Sequence, residues 1–152
     1  MFGKKLNEYF QFERWILILI AVVFAARLVI SLAGVPMTTT RWVSINVVLI
    51  IGMVFCAVAV HTKGFGSYKQ LFGLLWIQTY FAHLLIALGI LLGIVTGLDN
   101  AYTAPEVSGG TDGKTLFHAA LHLIVGAILP VFPWLIGSVI LFLTKKIKPA
   151  AN

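Results

Sequence analysis

Apolar and polar positions fall in long blocks along this chain. Four apolar stretches, near 15–35, 42–61, 71–98 and 115–143, approach or exceed the roughly 20 residues that cross a hydrocarbon core about 30 Å thick at 1.5 Å per residue. Between them lie Gly34, Val35 and Pro36 with the cluster Thr38, Thr39 and Thr40, then Lys63 to Ser67, then the polar run from Asp99 to Lys114. Such separators return a chain to water. The pattern predicts an all-α integral membrane protein, a four-transmembrane-helix bundle occupying residues 1–152 as a single domain, with no linker and no internal repeat. Pro130 and Pro133 each remove a backbone donor and crowd the preceding turn, so helix four is expected to be kinked at Pro130/Pro133, bending around residues 126–130.

Composition agrees with lipid as the main solvent. The chain is 60% hydrophobic and 11% charged over 152 residues, more apolar surface than a soluble domain of this size can bury. The net charge of +6 does not indicate nucleic acid, because the basic residues flank apolar runs and form no stripe interleaved with aromatics. Lys4, Lys5, Arg14, Lys63, Lys69, Lys145, Lys146 and Lys148 fall on one side of the four-span topology, and only Arg41 and Lys114 on the other. The positive-inside rule then puts both termini in the cytoplasm, with the plasma (inner) membrane as the expected location. The first stretch contains Arg27 and exceeds the roughly 7–15 apolar residues of a signal peptide, so it is read as a retained span. The single cysteine, Cys56, excludes an internal disulfide and reads as packing.

Small residues mark packing faces. Gly89, Gly93 and Gly97 recur at every fourth position of helix three, a seam that admits another backbone, either within the chain or in a homodimer. Gly52, Cys56 and Ala59 form a second such face on helix two. The segment Ala104 to Gly113 reads as an irregular outer loop, most simply a solvated connector.

Ionisable side chains inside hydrocarbon are the default candidates for function. Here they are Arg27, His83, His118 and His122, with His61 at the inner boundary. His118 and His122 are spaced i, i+4 and share a helix face. Such a pair can bind a transition metal if another element supplies ligands, and Asp112 or Glu106 could do so from the loop. His83 lies near Trp76, Thr79 and Tyr80, a polar and aromatic lining suited to a flat ligand such as haem b, whose iron takes axial imidazole. Counted along the helices, His83 is roughly 20 Å from the outer end and His122 less than about 10 Å, which argues against one haem taking both. Arg27 has no Asp or Glu within any predicted span to neutralise it. It either snorkels outward or meets an anionic ligand. Arg41, Ser44 and Asn46 start helix two at the level of His118 and His122, so a ligand site is expected to open outward.

These residues suggest a bundle that binds a cofactor or small ligand, most concretely haem or a metal ion in electron transfer or sensing. The candidate set is His83, His118, His122, Arg27 and Tyr80 for a cofactor, with His118 and His122 for a metal. The alternative is an accessory or assembly subunit of a larger membrane complex. A transporter is disfavoured by the lack of carboxylates in the predicted spans, and no Ser/His/Asp set, paired acids or nucleotide loop suggests an enzyme.

Overall fold

The structure, a computed structural model, describes residues 1–147, so Lys148 lies outside the described residues. Its elements are α1 (Leu6–Leu32), α2 (Met37–Thr40), α3 (Ile45–Thr62), α4 (Tyr68–Thr96), α5 (Leu116–Ile128) and α6 (Val131–Ile147). There is no strand among the described residues, and four helical stretches are long and apolar enough to cross a membrane. They form the expected four-helix membrane bundle, with the start of α1 and the end of α6 at one end and the long 97–115 connection at the other.

The helix ends follow from local chemistry. α1 begins well before its apolar run because Glu8 accepts the Lys5 backbone N–H at 2.7 Å and closes the first turn. In α4, Gln70 Oε1 accepts the Ser67 N–H at 2.9 Å, while the Lys145 ammonium donates to Ser67 Oγ at 2.7 Å, tying the start of α4 to the end of α6. Gly97, at φ +72°, ends α4 in the left-handed conformation and donates its N–H to the Gly93 carbonyl.

The fourth crossing is broken where the prolines predict. α5 stops at Ile128 and α6 starts at Val131. Pro130 has no N–H to offer the Gly126 carbonyl. The Ala127 carbonyl instead accepts the Trp76 indole N–H at 3.1 Å, and the Trp134 indole donates to the Tyr68 carbonyl at 2.9 Å. Two indole hydrogen bonds, one on each side of the break, thus pin it against α4. The break also changes partners, since α5 packs chiefly on α4 and α6 chiefly on α3.

The polar connection does not stay in water. Asn100, Ala101, Tyr102 and Thr103 are buried. Asn100 Nδ2 donates to the Gly89 carbonyl at 2.9 Å, the Ala101 N–H to Ser31 Oγ at 2.9 Å, and the Tyr102 hydroxyl to the Phe24 carbonyl at 3.1 Å. The Tyr102 ring stacks on Phe24. The glycine seam of α4 receives this segment: a Cβ on Gly89 would lie 2.6 Å from Tyr102 Cδ2, and one on Gly93 would lie 2.8 Å from Thr103 Cγ2. Gly97, the third glycine of the seam, serves as the cap.

Two apolar clusters fill the bundle. One, toward the termini, joins Tyr9, Met53, Cys56, Val60, Leu71, Leu74 and Leu141; the other, toward the loop, joins Ile16, Ile20, Val48, Ala82, Ile90 and Tyr102. Between them along α1 and α4 sit the buried polar residues Glu13, Gln78 and Thr79. If the loop is held by the glycine seam, Gly89→Ala destabilises the fold by about 1–3 kcal/mol. Unfolding in detergent measures this, and limited proteolysis should cut faster within 99–114.

Candidate functional site

Arg27, Ile45, Asn46, His83, Ala101, Tyr102, His118 and His122 are among the walls of a cavity of about 270 Å³ at the loop end. Every element except α2 and α6 reaches it. The descended loop supplies Ala101, Tyr102 and Val107, α1 supplies Arg27, α3 Asn46, α4 His83, and α5 both of its histidines.

The expectation that His83 and His122 lie at different heights is corrected. Their Nδ1 atoms are 3.1 Å apart. Counting from helix ends failed because the segment before α5 folds back along two turns of α4, so α5 starts below the end of α4 rather than level with it. Gly126, one turn after His122, completes the approach, for a Cβ there would meet His83 Cβ at 2.6 Å. His118 extends the row: its ring centroid is 5.1 Å from that of His122, and its Nδ1 is 2.9 Å from the Gly113 carbonyl.

These contacts assign proton positions. A carbonyl only accepts, so His118 carries hydrogen on Nδ1, and its Nε2 has a free lone pair when the ring is neutral. In the His83/His122 pair one Nδ1 donates and the other accepts. Both cannot be protonated at Nδ1, so the pair takes up one extra proton at most without separating.

Arg27 turns inward. Its guanidinium lies over the Tyr102 ring at 5.6 Å, one terminal nitrogen is 3.8 Å from Met37 Sδ, and Nε is buried without a hydrogen-bond partner. Arg27 also borders a neighbouring cavity of about 390 Å³ with Arg41, Thr38 and Glu106. Among the described residues no carboxylate lies within ion-pair distance of Arg27. Burial pushes the Tyr102 phenol above its ordinary value, an effect Arg27 partly offsets, so it remains a donor.

Tyr80 is not part of this cavity. It stacks on Trp76 at 5.0 Å between centroids. Asp112 does not join the histidines either: with Asp99 it binds the Lys114 ammonium. No group of three or more His, Cys, Asp or Glu among the described residues is arranged to hold a metal ion.

The absence of a carboxylate from the spans is also corrected. Glu13 lies within α1, is 1% exposed, and neither carboxyl oxygen has a hydrogen-bond partner. The apolar run was taken to begin after Glu13, but the helix begins at Leu6 and carries this side chain inside. Its signal was present in Tyr9, Glu13, Ile16 and Ile20, which repeat at helical spacing and are all buried.

Comparison with known family models, curated proteins and solved structures gives no match.

The Lys114 clamp makes the loop pH-sensitive. Its backbone N–H and then its ammonium hold Asp112 below the ordinary 3.8, and Asp99 followed by Asp112 raises Lys114 above the ordinary 10.5. For the carboxylate, stabilisation is present above the unfolded value and disappears as pH falls through the lower folded one; for the ammonium it is present below 10.5 and disappears as pH rises through the higher folded one. Proteolysis within 99–114 should therefore be slowest between these limits and accelerate at either extreme, with Lys114→Met removing the alkaline acceleration and weakening the acid one, since the backbone N–H to Asp112 remains.

Proposed function

We propose that this protein is a multi-pass membrane protein that binds a small anionic ligand in the loop-end cavity. Arg27 supplies the charge, the one N–H that the His83/His122 pair does not use internally supplies a hydrogen bond, and His118 supplies another once its Nε2 is protonated. The observation that carries the reading is the half-buried Arg27 side chain, which lines a cavity and has a buried Nε–H without a hydrogen-bond partner and, among the described residues, no carboxylate within ion-pair distance. A buried cation without a counter-charge is costly. A carboxylate or phosphate entering beside it would supply one, and Asn46 and the histidine N–H groups would orient it.

A transition metal is the second reading, favoured by three neighbouring imidazoles. Arg27 on the same wall opposes a cation there. The His83/His122 distance also bears on this reading and on haem b. A shared tetrahedral metal, at about 2.0 Å per bond, would hold two nitrogens about 3.3 Å apart, close to the 3.1 Å found here, whereas the axial ligands of one haem, on opposite sides of the iron, would be about 4 Å apart. The pair as it stands is hydrogen-bonded to itself, which does not fit axial ligation of one haem, and no electron-transfer step is drawn from it.

For orientation, we infer that both termini face the cytoplasm from the plasma membrane. Lys4, Lys5, Arg14, Lys63, Lys69, Lys145 and Lys146 at the termini end support this against Arg41 and Lys114 at the other.

Thermal-shift titration in lipid nanodiscs with acetate, succinate and inorganic phosphate tests the ligand class. At least one should stabilise the protein in a saturable way, and Arg27→Gln should weaken that binding by about tenfold, or ~1.4 kcal/mol. Stabilisation that Arg27→Gln leaves intact would refute the anion reading. Stoichiometric metal retained by the purified protein and lost in His122→Ala would favour the second reading.

A further inference from the structure

The cavity does not use the buried polar layer between the two apolar clusters. Glu13 projects from α1 with both oxygens unpartnered, and Gln78 Oε1 on α4 is likewise buried without a partner. Both lie along the small-residue face of α3. The Gln78 amide and the Ile16 side chain occupy the space over Gly52, where a Cβ would meet Ile16 Cγ2 at 2.9 Å, and the Glu13 carboxyl is within electrostatic reach of Cys56, one turn further along α3. A carboxylate left bare in this interior would be very costly, whereas a carboxylic acid needs only one acceptor. The orphaned Gln78 oxygen in the same layer is an acceptor without a donor.

This layer continues toward the histidines. Gln78 and Thr79 line a cavity of about 90 Å³ with Met53, Leu129 and Pro133, and Leu129 also lines the histidine cavity. Thr79 and His83 are one turn apart on one face of α4. The helix break at Pro130 lies beside the wall shared by the two cavities. In the other direction, Glu13 is seven residues, about 10 Å, inside the start of α1.

We propose that Glu13 is a proton-binding site and that Glu13, Thr79 and the His83/His122 pair form a route by which the bundle carries protons between its two ends. Glu13 takes a proton from water at the termini end and holds it as a neutral acid. It releases that proton, through water admitted to the small cavity beside Thr79, to the free nitrogen of the histidine pair, which passes it to the loop-end cavity. Each transfer moves one proton and leaves no charge stranded, since Glu13 is reprotonated from its own side. The Cys56 thiol of α3 faces Glu13, the Gln78 amide of α4 lies over Gly52 one turn from Cys56, and the Tyr9 phenol of its own helix is turned to the Met1 carbonyl, to which it donates at 3.0 Å. Lys63 lies over the neighbouring Phe12 ring at 5.9 Å, and α6 packs beyond on α3 and α4.

The test is proton flux into vesicles containing the full-length protein and a trapped pH-sensitive dye, driven by a potassium diffusion potential without added solute. Wild-type protein should exceed empty vesicles, Glu13→Gln should lower the protein-dependent flux by roughly tenfold or more, and Glu13→Asp should retain a measurable part. Glu8→Gln, an exposed change, should leave flux unchanged. Wild-type flux equal to that of empty vesicles, or undiminished flux in folded Glu13→Gln, would overturn the proposal. Infrared spectroscopy keeps the question open to test if Glu13→Gln misfolds: the wild type should show a protonated carboxyl band at neutral pH that shifts in Glu13→Asp, and absence of that band would refute the neutral acid. Anion binding at Arg27 is scored separately by thermal shift in Glu13→Asp, so failure of one reading does not imply failure of the other.

Discussion

Hydrocarbon gives a polar group nothing to bond with, and the rest of this bundle is arranged around that constraint. Each departure from regular helix has partners waiting. Where Pro130 interrupts the fourth crossing, the Trp76 indole takes the Ala127 carbonyl, and Trp134 holds the following helix to Tyr68. Where the 97–115 connection descends, Asn100, Ala101 and Tyr102 find acceptors on α4 and α1, and the Gly89 and Gly93 backbone is open to receive them. The loop enters the bundle because its hydrogen bonds can be completed there, and its descent creates the histidine cavity.

The same constraint makes the incomplete groups stand out. Among the described residues Arg27 Nε, both Glu13 oxygens, Gln78 Oε1 and Ser138 Oγ are buried without hydrogen-bond partners, and of these only Arg27 and Glu13 are ionisable. Arg27 and Glu13 lie on the same helix, fourteen residues or about 21 Å apart, too far to neutralise each other. An ion pair between them would be a structural feature; held apart, the two groups are unsatisfied separately, Arg27 beside the loop-end cavity and Glu13 in the polar layer with Gln78.

Block pattern, turn residues and proline positions made the four crossings and the break in the last one legible in the sequence, because membrane span length and proline geometry depend on local properties. The histidine cluster was only half legible. His118 and His122 share a face by spacing alone, but their meeting with His83 depends on how far the connection sinks, which is set by contacts between residues distant in sequence, such as Tyr102 with Phe24 and Asn100 with Gly89. Tyr80 looked equivalent to His83 by proximity along α4, yet its ring stacks on Trp76. Glu13 was missed because hydropathy locates an apolar run, whereas a helix can continue past its end when a cap such as Glu8 and an inward face such as Tyr9, Glu13 and Ile16 support it.

The break in the fourth crossing connects these features. A straight helix from Leu116 to Ile147 would keep one partner along its length, but here α5 lies on α4 and α6 on α3. That change allows Gly126 to press against His83 while Gly137 of α6 sits in the groove between Leu71 and Leu75 of α4 and Met53 of α3. Leu129 sits at the turn and borders both the histidine cavity and the smaller one beside Gln78 and Thr79. The two indole hydrogen bonds hold the segments on either side of Pro130 against α4, and so fix Leu129 between the polar layer and the histidine pair.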